Sequence, residues 1–344
     1  NMEYRINFSL LLTAFMLQAK SQIKIVDSIN ATPIQDAYVF MDDGRYLGAS
    51  DNKGCINLPQ GYSGSITIQH ISYELTKINS DSIKDNIVKM KPFIYTLPEV
   101  TSTYENPDYL VLTVYTRCYT MKDSIPAYYE EGIYDYYISM KKNRTKYKTI
   151  VERKLLKPGL GDYKDVMIVA PLTLMKLRKD NILIKWDGDN RFDNIKGDSI
   201  LSIGKRGSIN GVKKDDVRKT LMVYQDSMFT ADDYTINLFG IRARITEKSK
   251  NETYDISRGL PKLSSLLKTG THTCVFWRIH GKKSKEIQID TFDELYVTGI
   301  RYASKDEMKA AMKDKTQSPV NVPKNIPPVN KTLTDAISKM KQLK

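Results

Sequence analysis

Histidine, cysteine and tryptophan are scarce in this chain, with three, three and two of them among 344 residues. So few histidines leave few candidate general bases, and three widely separated cysteines exclude a disulfide-rich scaffold. After the first twenty or so residues, no apolar run is long enough to cross a bilayer as a helix. The chain also lacks the Gly-x-Ser-x-Gly frame of serine hydrolases and the paired metal ligands of zinc peptidases.

The sequence predicts no metal site and no cofactor. His272, Cys274 and His280 fall close together in the chain. Zinc needs a further well-placed ligand, however, and the remaining histidine, His70, lies in a different region.

Positive charge is abundant, since 53 Lys and Arg oppose 40 Asp and Glu and give a net charge of +13. Such an excess would suit nucleic acid or an anionic surface. The basic residues are mixed with acids along the whole chain, and no nucleic-acid-binding module is recognisable. We expect a solvated basic surface and no nucleic-acid partner. Attraction to anionic envelope lipids or polysaccharide stays open as an alternative.

Residues 2–21 have the form of a secretory signal peptide. Arg5 precedes an apolar run at residues 8–17, and Ala19 and Ser21 supply small residues at the spacing that cleavage requires. The run is too short to span a bilayer comfortably, and no nearby cysteine indicates a lipid anchor. We therefore expect export, a mature chain that begins at Gln22, and a location in the periplasm or at the outer membrane. A buried N-terminal helix is the alternative.

Export places cysteines in an oxidising compartment. Cys118 and Cys274 fall in the same predicted domain and are the candidate disulfide. The alternative is that these two and Cys55 are small buried apolar residues.

Residues 22–100 predict a small β-sandwich, because short alternating segments follow one another at close spacing between turn residues. The stretch Gly48–Leu58, GASDNKGCINL, shows the pattern. Asp51 caps a turn, Gly54 reverses the chain, and Ile56 and Leu58 point to one face. This stretch predicts a structural hairpin with no chemistry in it.

The same region resembles the carboxypeptidase-like regulatory domain, a transthyretin-like β-sandwich also found ahead of TonB-dependent receptors. The resemblance rests on ten positions and two short segments. They are Asp27, Pro33, Ile34, Ala37, Val39, Gly48, Asp51, Gly54, Ile56 and Leu58, with the segments 71–73 and 97–100. The usual glycine is replaced at Asp36 and at Ser72, which concerns turn geometry. The resemblance implies an accessory module of an exported protein, without peptidase activity.

Residues 101–310 predict a larger antiparallel β-rich domain of unknown function with one or two helices. Alternating segments indicate a three-stranded meander with turns near 122–126 and 141–145. Further strands are expected at 166–169, 182–186, 235–245, 274–280, 286–290 and 296–302. A helix is expected at 213–224, where Asp215 and Asp216 suggest a helix start, and another at 260–267, where Pro261 does so. Residues 311–344 form a Pro- and Lys-rich tail, with a short helix at 333–343.

Tyrosine is the most unusual feature, since ten of the 22 tyrosines lie between Tyr104 and Tyr147. Exposed tyrosines make platforms for sugars and anchors for proteins. The alternative is a half-buried sheet, for which tyrosine has a high propensity. The candidate binding residues are Tyr128, Tyr129, Glu130, Tyr134 and Tyr136.

The tripeptide Asp-Ser-Ile occurs four times and Asp-Ser-Met once. It resembles the acceptor for O-glycosylation in some exported bacterial proteins, while a simple turn is the alternative. The candidate acceptors are Ser28, Ser82, Ser124, Ser199 and Ser227.

The sequence thus predicts a non-enzymatic exported envelope protein. Its sandwich would be a structural or docking module, and its second domain would bind glycan or a protein of the periplasm or outer membrane. The alternative is an envelope carbohydrate hydrolase with paired carboxylates, such as Glu130 with Glu131 or Asp293 with Asp290 or Glu294.

Overall fold

The computed structural model describes residues 22–95, 106–142, 144–159, 198–199, 211–228, 235–238, 241–279, 286–314, 322–323 and 325–343. The chain forms two compact units, divided between Ile94 and Tyr95. Pro327–Thr332 belongs to the first unit, and the residues from Leu333 onward belong to the second. The predicted signal peptide and the predicted domain boundary at residue 100 lie outside the described residues.

The first unit is a two-layer β-sandwich. Its seven strands are β1 (Gln22–Asp27), β2 (Tyr38–Met41), β3 (Tyr46–Ala49), β4 (Cys55–Asn57), β5 (Ser65–Gln69), β6 (Thr76–Asn79) and β7 (Ile87–Met90). One sheet has the order β4-β1-β7 and the other has the order β3-β2-β5-β6. Ile25 and Val88 from one sheet lie in the same buried cluster as Val39 and Ile68 from the other. The alternation of the short strands predicted this core.

The turn at Asp51–Gly54 has the predicted chemistry. Asp51 Oδ1 accepts hydrogen bonds from the backbone N–H groups of Lys53 and Cys55, each at 2.8 Å. Gly54 has a φ of +75°, and a side chain there would meet the carbonyl oxygen of Ile25. β3 pairs with β2, whereas β4 pairs with β1. The stretch is therefore not a simple hairpin, because it carries the chain from one sheet to the other.

The second unit contains eleven described strands in one sheet. They are β8 (Tyr109–Lys122), β9 (Ile125–Ser139), β10 (Thr145–Leu156), β11 (Asp198–Ser199), β12 (Gly211–Asp215), β13 (Thr220–Met228), β14 (Thr235–Leu238), β15 (Ile241–Asp255), β16 (Leu266–Ile279), β17 (Ile287–Ala303) and β18 (Lys341–Gln342). Their order is β11-β12-β13-β15-β16-β17-β8-β9-β10-β18, with β14 also on β15, and every described pair is antiparallel. A mainly β fold is therefore confirmed.

The predicted meander is confirmed, since β8, β9 and β10 are consecutive neighbours. The predicted strand at 235–245 is divided into β14 and the start of β15. The predicted strand at 274–280 corresponds to the end of β16, and those at 286–290 and 296–302 both fall on β17. The predicted strands at 166–169 and 182–186 lie outside the described residues.

The helix predicted at 213–224 is wrong, because this segment forms β12, a turn and β13. Asp215 and Asp216 suggested a helix start. Instead, Asp215 Oδ1 accepts hydrogen bonds from the backbone N–H groups of Val217 and Arg218 and closes the turn. The helix predicted at 260–267 is also wrong, since a single 3₁₀ turn at Leu263–Ser265 leads directly into β16.

Two α-helices are described, α1 (Lys305–Lys313) and α2 (Lys331–Ser338). Ser304 caps α1, and its hydroxyl accepts from the Glu307 N–H while the Glu307 carboxylate accepts from the Ser304 N–H. The predicted tail helix corresponds to α2, although the chain then ends in β18 rather than continuing as a helix. Among the described residues, no helix combines the length and the apolar character needed to span a membrane.

Candidate functional site

Side chains of the large sheet alternate between two faces, which we name after two residues of β8. The Leu112 face carries the apolar start of β8, and the Arg117 face carries its charged centre. Most side chains on both faces are buried at the centre of the sheet. The two faces hold different polar groups.

A row of opposite charges crosses the Arg117 face from β10 to β17. Arg153, Glu131, Arg117 and Glu294 are successive cross-strand partners. The guanidinium of Arg117 lies 2.5 Å (Nη2) and 2.7 Å (Nε) from Oε2 of Glu294, and both side chains are 3% exposed. Arg153 pairs with Glu131 in the same way. Both carboxylates of this row are thus neutralised by arginine.

Tyrosine hydroxyls complete the shell around these carboxylates. Glu131 Oε2 accepts from Tyr115 at 2.7 Å and from Tyr129 at 2.9 Å, and Glu294 Oε2 accepts from Tyr296 at 2.8 Å. Burial, followed by the nearby Tyr129 and Glu131, raises the pKa of Tyr115, so its hydroxyl remains a donor. A carboxylate held by arginine and by tyrosine hydroxyls is suited to structure and poorly suited to proton transfer.

The Arg117 face also carries an aromatic stack across three strands. The rings of Tyr119 and His272 lie on either side of Phe292, at 4.9 and 4.7 Å between centroids. His272 Nε2 lies 3.0 Å from Asp290 Oδ1, and both residues are buried. The described part of the chain holds no group of three or more ligating side chains arranged for a metal ion. His280 lies outside the described residues.

The Leu112 face is apolar at one end and polar at its centre. Leu110, Leu112, Val114, Leu295 and Val297 belong to a buried cluster that extends to β9, β12 and β13. Ile289 contributes to a second apolar cluster further along β17. Between these clusters lies a set of polar residues that we call the polar belt. The polar belt consists of Thr116, Cys118, Thr120, Tyr128, Glu130, Glu152, Lys154, Lys248, Lys250, Glu252, Thr269, Thr271, Thr273, Thr291 and Asp293.

Asp293 and Glu130 flank Cys118 in the polar belt, as the cross-strand neighbours of Cys118 on its two sides. Burial raises the pKa of Asp293 to about 8. The Glu130 and Glu294 charges also act to raise this pKa, whereas the hydrogen bond with the Cys118 thiol and the charge of Lys248 act to lower it. Burial, with the Asp293 charge, also raises the pKa of Cys118 well above its usual value. A protonated carboxyl and a protonated thiol therefore lie side by side at neutral pH.

Glu130 is held by tyrosine and lysine. Tyr128 donates its hydroxyl to Glu130 Oε2 at 2.6 Å, and Tyr134 donates to Glu152 Oε2 at 3.1 Å. Lys154 Nζ lies 3.1 Å from Glu152 and 3.9 Å from Glu130. Lys250 pairs with Glu252 at 2.6 Å at the opposite side of the belt. The polar belt therefore contains both positive and negative side chains and is not a simple anion site.

Two threonine hydroxyls of the polar belt have no hydrogen-bond partner. They are Oγ1 of Thr269 and Oγ1 of Thr291, in residues that are 9% and 1% exposed. A buried polar group left unpaired costs roughly 1–3 kcal/mol. Lys248, Asp293 and Thr116 retain partial exposure in the same belt. Unpaired buried hydroxyls beside partly accessible charges make the polar belt the candidate site of this unit.

The structure separates the predicted binding residues. Tyr128, Glu130, Tyr134 and Tyr136 lie on the Leu112 face, whereas Tyr129 lies on the Arg117 face. All five are buried, with exposures of 2–8%. They do not form the exposed platform that the tyrosine cluster suggested, because both faces of β9 are covered. Tyr128 and Glu130 are nevertheless part of the polar belt.

The carboxylate pairs predicted from the sequence are not all on one face of the sheet. Glu130 and Glu131 point to opposite faces, as do Asp293 and Glu294, because neighbouring residues of a strand alternate. Glu130 and Asp293 are brought onto one face instead. Sequence reasoning missed the threonines and Lys248, although the alternation of Thr269, Thr271 and Thr273 along one strand is a signal that could have found them.

The predicted disulfide does not form in this structure. Cys118 and Cys274 are both free and buried. Cys118 faces Asp293 across β8 and β17, while Cys274 faces Asp290 across β16 and β17. Since Asp290 and Asp293 point to opposite faces, the two thiols are on opposite sides of the sheet.

The candidate glycosylation sites differ in exposure. Ser28 and Ser82 are exposed in the first unit, and Ser124 is half-buried in the turn between β8 and β9. Ser199 and Ser227 lie in β11 and β13, and their side chains are outside the described part of the structure.

No protein-family model matches the chain, and no curated protein matches it. Among solved structures, one titled "Lipid-protein interactions in lipovitellin" is similar, with 10% sequence identity and a TM-score of 0.33. The match covers 58% of this chain and 26% of the lipovitellin chain, so this chain spans about a quarter of that protein's length. A likeness this weak supports neither a function nor a ligand.

Proposed function

We propose that this chain is a non-enzymatic exported protein of the bacterial envelope, whose second unit binds a glycan or a protein of the envelope. The observation that carries the proposal is the polar belt, in which buried hydroxyls without partners lie beside partly exposed charges. Such groups gain most when a ligand supplies the missing hydrogen bonds. Export rests on the form of residues 2–21.

The first unit has the role of a structural or docking module in this proposal. Its two-layer sandwich and the Asp51–Gly54 turn agree with the resemblance to the carboxypeptidase-like regulatory domain. The residues of that turn are occupied by backbone hydrogen bonds, and none of them is arranged for chemistry.

The test is a crosslinked pull-down of the tagged full-length protein from native envelopes, with bound proteins and glycans identified by mass spectrometry. The matched control is the double variant Lys248→Met with Thr291→Val, which alters the belt without removing a described hydrogen bond. We expect enrichment of a partner by the wild type and its loss in the variant. Equal recovery by both proteins would place the interaction elsewhere, and no recovery by either would refute a binding role.

One observation favours a second candidate, an envelope carbohydrate hydrolase. Asp293 and Glu130 lie two strand spacings apart, roughly 9–10 Å between backbones, and the raised pKa of Asp293 suits a general acid. Inverting glycosidases hold their two carboxyl groups about 6.5–9.5 Å apart. The thiol of Cys118, however, lies between the two carboxyl-bearing strands and is hydrogen-bonded to Asp293. It fills the space that the attacking water would need.

Hydrolysis assays separate the two candidates. Release of reducing ends from envelope polysaccharide by the wild type, abolished by Asp293→Asn and by Glu130→Gln, would establish the hydrolase. We expect no release by any of the three proteins.

A further inference from the structure

An amide side chain lies over a glycine at the centre of the Arg117 face. Asn251 on β15 and Glu294 on β17 are the cross-strand partners of Gly270 on its two sides. A Cβ atom added at Gly270 would lie 3.1 Å from Oδ1, 3.2 Å from Nδ2 and 3.5 Å from Cγ of Asn251. The carboxamide of Asn251 therefore occupies the space that a side chain would otherwise fill, next to the row of charges that ends at Glu294.

This carboxamide is buried, and its hydrogen-bonding capacity is not fully used. Asn251 is 2% exposed, and its Oδ1 has no hydrogen-bond partner among the described residues. An unpaired buried oxygen is unfavourable, so its presence at the centre of a sheet needs a physical or chemical cause.

Lys268 lies beside Asn251 on the same face. It is the cross-strand partner of Thr253 on β15 and of Tyr296 on β17, which makes Asn251 its diagonal neighbour. Diagonal neighbours on antiparallel strands are about 7–8 Å apart, within reach of a long side chain. Within the described part of the chain, no hydrogen bond or ion pair holds the amine of Lys268 elsewhere.

The amine of Lys268 is mostly uncharged above neutral pH. The residue is 2% exposed, and burial lowers its pKa from 10.5 to about 7, with the charge of Arg218 in the same direction and that of Glu294 against it. A desolvated, neutral lysine is a nucleophile, whereas the ammonium form is not. The charged and titratable groups around the amine are Arg218 in the turn before β13, Glu294 and Tyr296 on β17, and Tyr115 and Arg117 on β8.

We propose that Lys268 and Asn251 form an intramolecular isopeptide bond that joins β15 covalently to β16. The lone pair of Nζ forms a bond to Cγ of Asn251, and the bond between Cγ and Nδ2 breaks. One proton moves from Nζ to the leaving nitrogen, which departs as ammonia, so the reaction needs no oxidant and no further reactant. The negative charge of Glu294 stabilises the positive charge that Nζ carries while the new bond forms.

The inference concerns the covalent structure of the second unit and does not depend on what that unit binds. Lys268 titrates only in the chain before the reaction. The dependence of stability on pH that follows from burial of this amine therefore belongs to the unreacted chain, which is obtained by refolding at pH 6, where most of the amine is protonated.

Intact-mass measurement of the full-length protein, unfolded for analysis, tests the proposal. Wild type refolded at pH 6 and moved to pH 8 should lose the mass of one ammonia about tenfold faster than a sample kept at pH 6, because about ten times more of the amine is neutral at pH 8. The reacted wild type should have a higher thermal midpoint than the unreacted one, since a cross-link restricts the unfolded chain.

Peptide mapping separates the cross-link from other losses of ammonia. An N-terminal glutamine that cyclises and an asparagine that forms a succinimide also release ammonia, but neither joins two peptides. Trypsin should release residues 251–258 and 263–278 of the reacted protein as one branched peptide, uncut after Lys268. Recovery of residues 251–258 only as a free peptide after long incubation at pH 8 would overturn the proposal.

Three variants complete the test. Asn251→Ala and Lys268→Arg should each give separate peptides and no loss of ammonia that depends on the pH. Ser249→Ala is the matched control, since Ser249 is also buried on this face of β15, its Oγ has no partner, and it carries no carboxamide. This variant should react as the wild type does. An equal loss of ammonia in Lys268→Arg would overturn the proposal, and the wild-type peptide map decides the question even where a variant fails to fold.

Discussion

Arg117 and Glu294 lie 177 positions apart in the chain and face each other directly across β8 and β17, with Nε of the arginine 2.7 Å from Oε2 of the glutamate. The pair is buried at the centre of the large sheet. Removal of one partner from such a pair leaves an uncompensated charge in an environment of low polarity. The pair therefore links β8 with β17, two strands that are far apart in the sequence.

Glu294→Gln should be strongly destabilising. We expect a loss of roughly 3–5 kcal/mol in the free energy of unfolding, measured by urea denaturation, because the guanidinium of Arg117 would remain buried without its counter-charge. Glu286→Gln is the control, since its pair with Arg244 is partly exposed, and it should cost less than ~1 kcal/mol. The double variant Arg117→Met with Glu294→Met should recover part of the loss. Equal stability of the two single variants would contradict a structural role for the buried pair.

The local alternation of apolar residues was sufficient to predict the three strands of the meander. Leu110, Leu112 and Val114 alternate with residues of the other face, and alternation of this kind depends only on neighbours in the chain. The helix predicted at 213–224 failed because Asp215 has two uses that look alike in sequence, the start of a helix and the closing of a turn. Only the pairing of β12 with β13 decides between them.

The candidate site was less predictable than the fold. Glu130 was recognised by sequence, but its partner Asp293 lies more than 160 residues away and is brought beside Cys118 only by the pairing of β17 with β8. The tyrosines of β9 were recognised as unusual, yet their burial depends on what covers the two faces. Local periodicity does not show which distant strands pair or which segments cover each face of the sheet. The residues of the polar belt could therefore not be predicted from the sequence.

The carboxyl group of Asp293 should make the protein less stable as the pH rises. Its pKa is raised from 3.8 to about 8 in the folded state, so between these values the folded protein holds a proton that the unfolded chain releases. Stability from this group is therefore lost as the pH rises through that window. Asp293→Asn should be more stable than the wild type, and by more at pH 9 than at pH 5, in urea denaturation. A difference that is constant with pH would contradict the raised pKa of Asp293.

Lys268 should have the opposite dependence. Burial, with the charge of Arg218, lowers its pKa from 10.5 to about 7, and Glu294 opposes this. Between pH 7 and 10.5 the unfolded chain binds a proton that the folded protein does not, so stability rises with pH over that window. Lys268→Met should stabilise the protein most at pH 6, with a gain that shrinks toward pH 10. A gain that is constant with pH, or that grows with it, would contradict the prediction.

The three cysteines should react in a defined order. Cys55 is half-exposed, whereas Cys118 and Cys274 are buried, and burial raises the pKa of Cys274 to about 12, with the Asp290 charge in the same direction. Since the thiolate is the reactive form, iodoacetamide should modify Cys55 alone in the folded protein. After unfolding without reductant, intact-mass measurement should show three modified thiols. Only one modified thiol after unfolding would indicate the disulfide between Cys118 and Cys274 that the structure excludes.

Exposure should decide which Asp-Ser acceptors carry a glycan. Ser28 and Ser82 are exposed, while Ser124 is half-buried and has a φ of +66° in a tight turn. Asp27 is buried and accepts hydrogen bonds from the Ile29 N–H and the Tyr73 hydroxyl, so this aspartate holds the chain in a fixed conformation that presents Ser28. Mass spectrometry of protein from native envelopes should find additions at Ser28 and Ser82 and less at Ser124. Ser28→Ala should remove one addition without affecting the other. Modification of Ser124 alone would show that exposure does not govern the choice, and unmodified serines at all five sites would show that the tripeptide has only its turn-forming role.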